Sequence, residues 1–160
     1  HNPLSPKPEH ALYPRPEGCT GWRLLRMLGP AYTERDYLRA FDRVDLLDHH
    51  EQVGGKGYAA RLRHGGGRLV DGIVSRKSLR VVLLGADVWR SLFEGLPPWL
   101  TWTERSVVGR EGFRIGWSVL FLALPHPSGR NRWYQDRVNA HAASTALRQL
   151  AVPSLAEARP

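Results

Sequence analysis

Cysteine is almost missing from this chain: Cys19 stands alone among 160 residues. A single thiol can form no intramolecular disulfide, no cysteine-built zinc site and no iron–sulfur cluster. Nor does any apolar run approach the roughly 20 residues that a membrane span needs. The opening stretch is polar and proline-rich, unlike a signal peptide, so a soluble cytoplasmic protein with no membrane partner is expected. Acidic residues are few beside basic ones, 15 against 23, which leaves a formal net charge of +8. That surplus favours a polyanionic partner, nucleic acid first, although solubility alone would also account for it. What is present is a folding composition, 42% hydrophobic and 24% charged, at a length suited to one domain.

Prolines at 3, 6, 8, 14 and 16 forbid a regular helix over His1 to Gly21. Thr20 then reads as the N-cap of a helix whose apolar face is Trp22, Leu24, Leu25, Met27 and Leu28, stopped by Gly29-Pro30. A second helix is expected from Thr33 to about Phe41, with Glu34 and Asp36 near its positive end. Arg43–Leu47 reads as a short buried strand, and Glu51–Lys77 as a glycine-rich loop followed by a helix around Leu69 to Ser75. The plainest unit is Leu79–Leu84, an apolar β-branched strand that Gly85 breaks into a helix over Ala86 to Phe93. A second buried strand, Val119–Leu124, ends in the turn chemistry of Pro125 to Gly129, and a last helix runs from Asn139 to Leu150. The expected fold is a single-domain three-layer α/β/α arrangement with a central, mostly parallel, four-stranded sheet over residues 1–150. A frayed tail is expected over 151–160.

Ligands of open α/β sheets gather beyond the carboxyl ends of the strands. Three loops would meet there: Asp45 to His50, the turn after Gly85, and Pro125 to Trp133. The third holds a histidine between two prolines, then Ser128, Gly129, Arg130, Asn131 and Arg132, then Trp133 and Tyr134. Arginines and amides hold phosphates, and aromatics stack on unpaired bases. A histidine between rigid flanks is a side chain held in place. His49-His50, with Asp48 and Glu51, makes a poor metal site because adjacent histidines point different ways, so no metal or other cofactor is expected.

Asn2-Pro3 near the start, the glycine-led helix Gly18 to Leu28, the strand and glycine Val81 to Ala86, and His126-Pro127-Ser128 occur in an order that resembles the uracil-DNA glycosylase superfamily. The resemblance runs from Asn2 to about Ala146. It implies a monofunctional, monomeric DNA glycosylase that flips a base out of DNA and hydrolyses its N-glycosidic bond. Asn2 would then position the attacking water, since an amide is no base near neutral pH. His126 would donate to the pyrimidine O2 as negative charge develops on the departing base. Tyr13 would stack on the flipped base, or is a half-buried loop aromatic. Arg130 would wedge into the vacated stack or hold a phosphate, with Ser128, Gly129, Asn131 and Arg132 on the flanking backbone.

Two departures bear on the substrate. Where the family reads the base with asparagine, this chain carries Asp45, an acceptor suited to the exocyclic amine of cytosine. Alternatively Asp45 merely caps a loop. Where strict uracil enzymes carry a tyrosine that bars C5 substituents, this chain has Leu4. Together they imply a C5-modified cytosine, hydroxymethylated or glucosylated as in some phage DNA, and hence a defence role. A uracil or deaminated-base repair enzyme and a non-catalytic basic DNA-binding module are the alternatives.

Overall fold

In a computed structural model of the protein, residues 10–47, 55–108 and 117–151 are described. Asn2, Leu4, the 48–50 histidine segment with Glu51, and the 152–160 tail lie outside them. The described chain forms five α-helices and three strands: α1 (Thr20–Leu28), α2 (Glu34–Ala40), α3 (Tyr58–Ser75), β1 (Arg80–Leu84), α4 (Ala86–Arg90), β2 (Trp102–Val107), β3 (Trp117–Leu124) and α5 (Arg137–Ala151).

The fold is α/β, but the sheet among the described residues has three strands in the order β1-β3-β2. β1 pairs parallel with β3, from Arg80 opposite Leu120 to Leu84 opposite Leu124. β2 pairs antiparallel, from Trp102 opposite Leu122 to Val107 opposite Trp117. The expected four-stranded, mostly parallel sheet is therefore replaced here by a smaller mixed one. The antiparallel edge strand escapes a search for apolar runs because three of its six residues are exposed and polar.

β3 is the axis of the core. Successive side chains of a strand point to opposite faces. Leu122 and Leu124 accordingly pack with Leu24 and Leu28 of α1, Tyr37 of α2 and Ala143 and Leu147 of α5. Val119, Phe121 and Ala123 pack on the other face with Ile73 of α3 and Trp89 of α4. Helices thus cover both faces of the sheet.

Local chemistry explains most element ends. Cys19, not Thr20, caps α1, its sulfur accepting from the Trp22 amide. Thr33 caps α2 in a reciprocal box with Asp36, and the Thr33 bonds hold the Asp36 carboxyl below its usual range. Arginines close two helix C-termini: Arg148 Nε donates to Met27 O at 3.0 Å, and Arg80 Nη1 to Gln149 O at 3.2 Å.

α3 is far longer than the expected Leu69–Ser75 piece and runs through Gly65, Gly66 and Gly67. Gly65 and Gly66 admit neighbouring backbone. A β-carbon at Gly65 would strike the Leu46 carbonyl oxygen, and one at Gly66 the Ser91 carbonyl oxygen. Residues 43–47, expected as a strand, have no regular structure. Their polar contacts go elsewhere: the Leu46 carbonyl lies on α3 and accepts from Arg68 Nη2 at 3.3 Å, while Arg43 Nη1 donates to Ala11 O at 3.2 Å.

Candidate functional site

β1 and β3 end side by side, and the Gly85 amide donates to Leu124 O at 2.8 Å as both chains leave the sheet. Gly85 has φ +99, a conformation that glycine adopts readily. The His126 Cβ lies 3.5 Å from where a β-carbon on Gly85 would stand. His126 thus sits at the carboxyl end of the parallel pair, anchored by the fully buried Pro127.

The loop after β3 is braced from within. Asn131 Nδ2 donates to His126 O at 2.9 Å, and its Oδ1 accepts from the Trp133 amide at 3.1 Å. Ser128 N donates to the same His126 carbonyl at 2.8 Å. Tyr134, with its hydroxyl proton held tightly by burial, donates to Pro125 O at 2.6 Å. Asn139 reaches back from α5 to Trp133 O at 3.2 Å. Asn131 is therefore first a brace of the histidine's backbone, with one amide hydrogen left for a phosphate. Gly129, Arg130 and Arg132 are exposed, and the Arg23 guanidinium of α1 comes within 3.1 Å of where a Gly129 β-carbon would stand.

Burial holds the His126 imidazole below its ordinary pKa of 6.5, and the Asp45 carboxylate opposes that shift through space. The neutral ring, a donor at one nitrogen and an acceptor at the other, is the form favoured at neutral pH. Asp45, distant in sequence, is thereby in electrostatic reach of His126. Its Oδ1 is shielded from solvent.

Tyr13 packs under Arg43, with no contact to His126 among the described residues. The Arg43 guanidinium lies over the Tyr13 and Tyr37 rings, 6.0 Å from each centroid, two residues before Asp45. Its Nε is buried with no hydrogen-bond acceptor among the described residues. The Tyr13 hydroxyl donates to Glu34 Oε1 at 3.2 Å, so Arg43 takes up part of the ring surface that was expected to stack on a base. Arg43 and Asn139 carry no motif that singles them out; only the folded chain reveals what they hold.

A separate cleft of about 310 Å³ opens on the α1–α2 side, between Trp22, Arg26, Tyr32, Pro14, Arg15 and Glu34. In sequence, Trp22 reads only as part of an apolar helix face. Among the described residues no helix is long and apolar enough to cross a membrane.

Compared with family models, with curated proteins and with solved structures, the chain matches none. The functional reading therefore rests on the site itself.

Proposed function

We propose that the protein is a DNA glycosylase with a uracil-DNA glycosylase-like fold, whose preferred substrate is a cytosine carrying a C5 substituent. The observation that supports this most is the half-buried His126 held at the carboxyl ends of β1 and β3 by Pro127 and Asn131, with Asp45 acting on it through space. A buried neutral imidazole suits donation to a pyrimidine O2 as the N-glycosidic bond breaks, because a donor already in place in a water-poor site costs no reorganisation. A carboxylate nearby suits the N4 amine of cytosine and repels the O4 of uracil. Asn2 would orient the water and Leu4 would leave room at C5, as the resemblance implies. Bond cleavage transfers the hydroxyl of that water to the sugar C1′ and leaves the base with a proton, so an abasic site remains. Confined to modified cytosine, this activity spares the cell's own DNA and degrades phage DNA that carries the modification.

The test is abasic-site formation on DNAs containing uracil, cytosine, 5-hydroxymethylcytosine or its glucosylated form, with wild type, His126→Ala and Asp45→Asn. Cleavage of modified cytosine alone, lost in His126→Ala and shifted toward uracil in Asp45→Asn, is the expected result. Cleavage of uracil alone would make this a repair enzyme. Salt-sensitive binding with no abasic sites on any DNA would leave a non-catalytic binding module.

A further inference from the structure

The cleft on the α1–α2 side has no part in the chemistry assigned to His126 and Asp45. At about 310 Å³ it stands at the lower bound of small-ligand pockets, roughly 300–1,000 Å³. It is too small for a folded partner. Its floor is aromatic, with Trp22 and Tyr32 both half-buried. The Arg26 guanidinium lies 5.8 Å from the Trp22 ring centroid. As at Tyr13, the guanidinium takes up part of the ring face, so what a nucleobase would meet is the combined surface of indole and guanidinium plane, on either of which bases stack.

The cleft's own charges balance, Arg15 and Arg26 against Glu17 and Glu34, and Arg23 beside it on α1 tips the surface towards positive. Glu34 is neutralised by Arg15, whose Nε stands 2.7 Å from its carboxylate. Among the described residues no carboxylate pairs with Arg23 or Arg26. These two arginines, three apart on α1, are neighbours on one helix surface.

Arg23 also joins the cleft to the site. Its Nε donates to Gly18 O at 3.0 Å, and the same guanidinium abuts Gly129 in the loop that holds His126. A backbone leaving His126 over Gly129 meets Arg23 first and then, one helical turn on, Arg26 and the Trp22 platform.

From this juxtaposition of cleft, arginine pair and loop we propose that the cleft receives an unpaired nucleotide of the strand flanking the excised base. The protein then acts on single-stranded or locally opened DNA. The inference rests on the glycosylase reading for the identity of the strand.

Binding of fluorescein-labelled single-stranded oligonucleotides that contain no excisable base tests it. One probe of about four nucleotides covers only the His126 loop, and one of about twelve reaches the cleft, within the usual site sizes of such surfaces. Trp22→Ala should weaken the longer probe about tenfold, as expected for loss of one stacked base. It should leave the shorter unchanged, and Trp22→Phe should keep most of the binding. Arg26→Gln, at an exposed position that the fold does not need, should weaken the longer probe and lower its salt slope by about 0.7. Trp22→Ala and Arg26→Gln proteins that bind the longer probe as wild type does would overturn the inference. If that protein still makes abasic sites, the glycosylase reading survives. Cleft-dependent binding by a protein that makes no abasic sites would overturn that reading and leave the cleft standing. A wild-type protein that binds neither probe would overturn the inference, and abasic-site formation would still decide the glycosylase reading.

Discussion

Burial and Asp45 act on the His126 imidazole in opposite senses, and burial wins. The unfolded chain, with an ordinary histidine pKa of 6.5, takes up a proton more readily than the folded one. The stability this histidine contributes is therefore complete above pH 6.5 and is lost as the pH falls toward its lower, folded value. Denaturation midpoints measured from about pH 7.5 down to about pH 5 should decline, and His126→Asn should flatten the part of the decline that belongs to this residue. At Asp45 the argument is one of acceptors. Asp45→Asn restores a donor opposite a pyrimidine O4, so the ratio of uracil to modified-cytosine excision should rise, read from the rates of abasic-site formation. An unchanged ratio would mean that Asp45 does not touch the base. The histidine was legible in the sequence because its prolines announce rigidity. The bracing role of Asn131 was not, since a brace and a phosphate ligand look alike in a string of letters.

Among elements, legibility followed burial. β1 and β3 are continuous apolar runs and read as strands at once, with bounds close to those observed. β2 was invisible because its residues 104–106 are exposed; only pairing with β3 makes it a strand. Arg43–Leu47 erred the other way, an apolar run whose backbone is held by α3 and by Ala11 instead of by a ladder. The glycines at 65–67 argued against α3, and the structure gives the purpose of the first two. Alanine in place of a helical glycine ordinarily stabilises by about 0.5–1 kcal/mol. Gly72→Ala should follow that rule, its only close neighbour being the flexible Arg76 side chain. Gly65→Ala and Gly66→Ala should reverse it, costing about 1–3 kcal/mol, because carbonyls of Leu46 and Ser91 would have to move. Urea denaturation of the three variants decides the matter by sign alone.

Across the whole molecule, the surplus of +8 overstates the charge available to a ligand. Arg43, Arg80 and Arg148 bond main-chain carbonyls inside the fold. DNA affinity should therefore depend on salt through a subset of the arginines. Arg130→Ala and Arg132→Ala should each reduce the slope of log K against log salt by about 0.7 on single strands. Arg80→Ala and Arg148→Ala should lower thermal stability and leave that slope alone. Composition gives the sign of the chain's own net charge, but which cations face outward is a property of the packed chain.

Gly21 belongs with Gly65 and Gly66: a β-carbon there would run into the carbonyls of Leu12 and Tyr13. The Gly21 and Gly65 contacts fasten the segments bearing Tyr13 and Asp45 to α1 and α3, on opposite faces of the sheet, and Gly66 seats the end of α4 on α3. In a saturating mutational scan, all three positions should be as depleted as the residues proposed to react. Their depletion would trace a scaffold beneath the pocket, and a map of tolerance drawn without coordinates would mistake that scaffold for the pocket. Partial rescue at lower growth temperature would separate the two, since cold restores a loosened frame but cannot replace a missing imidazole.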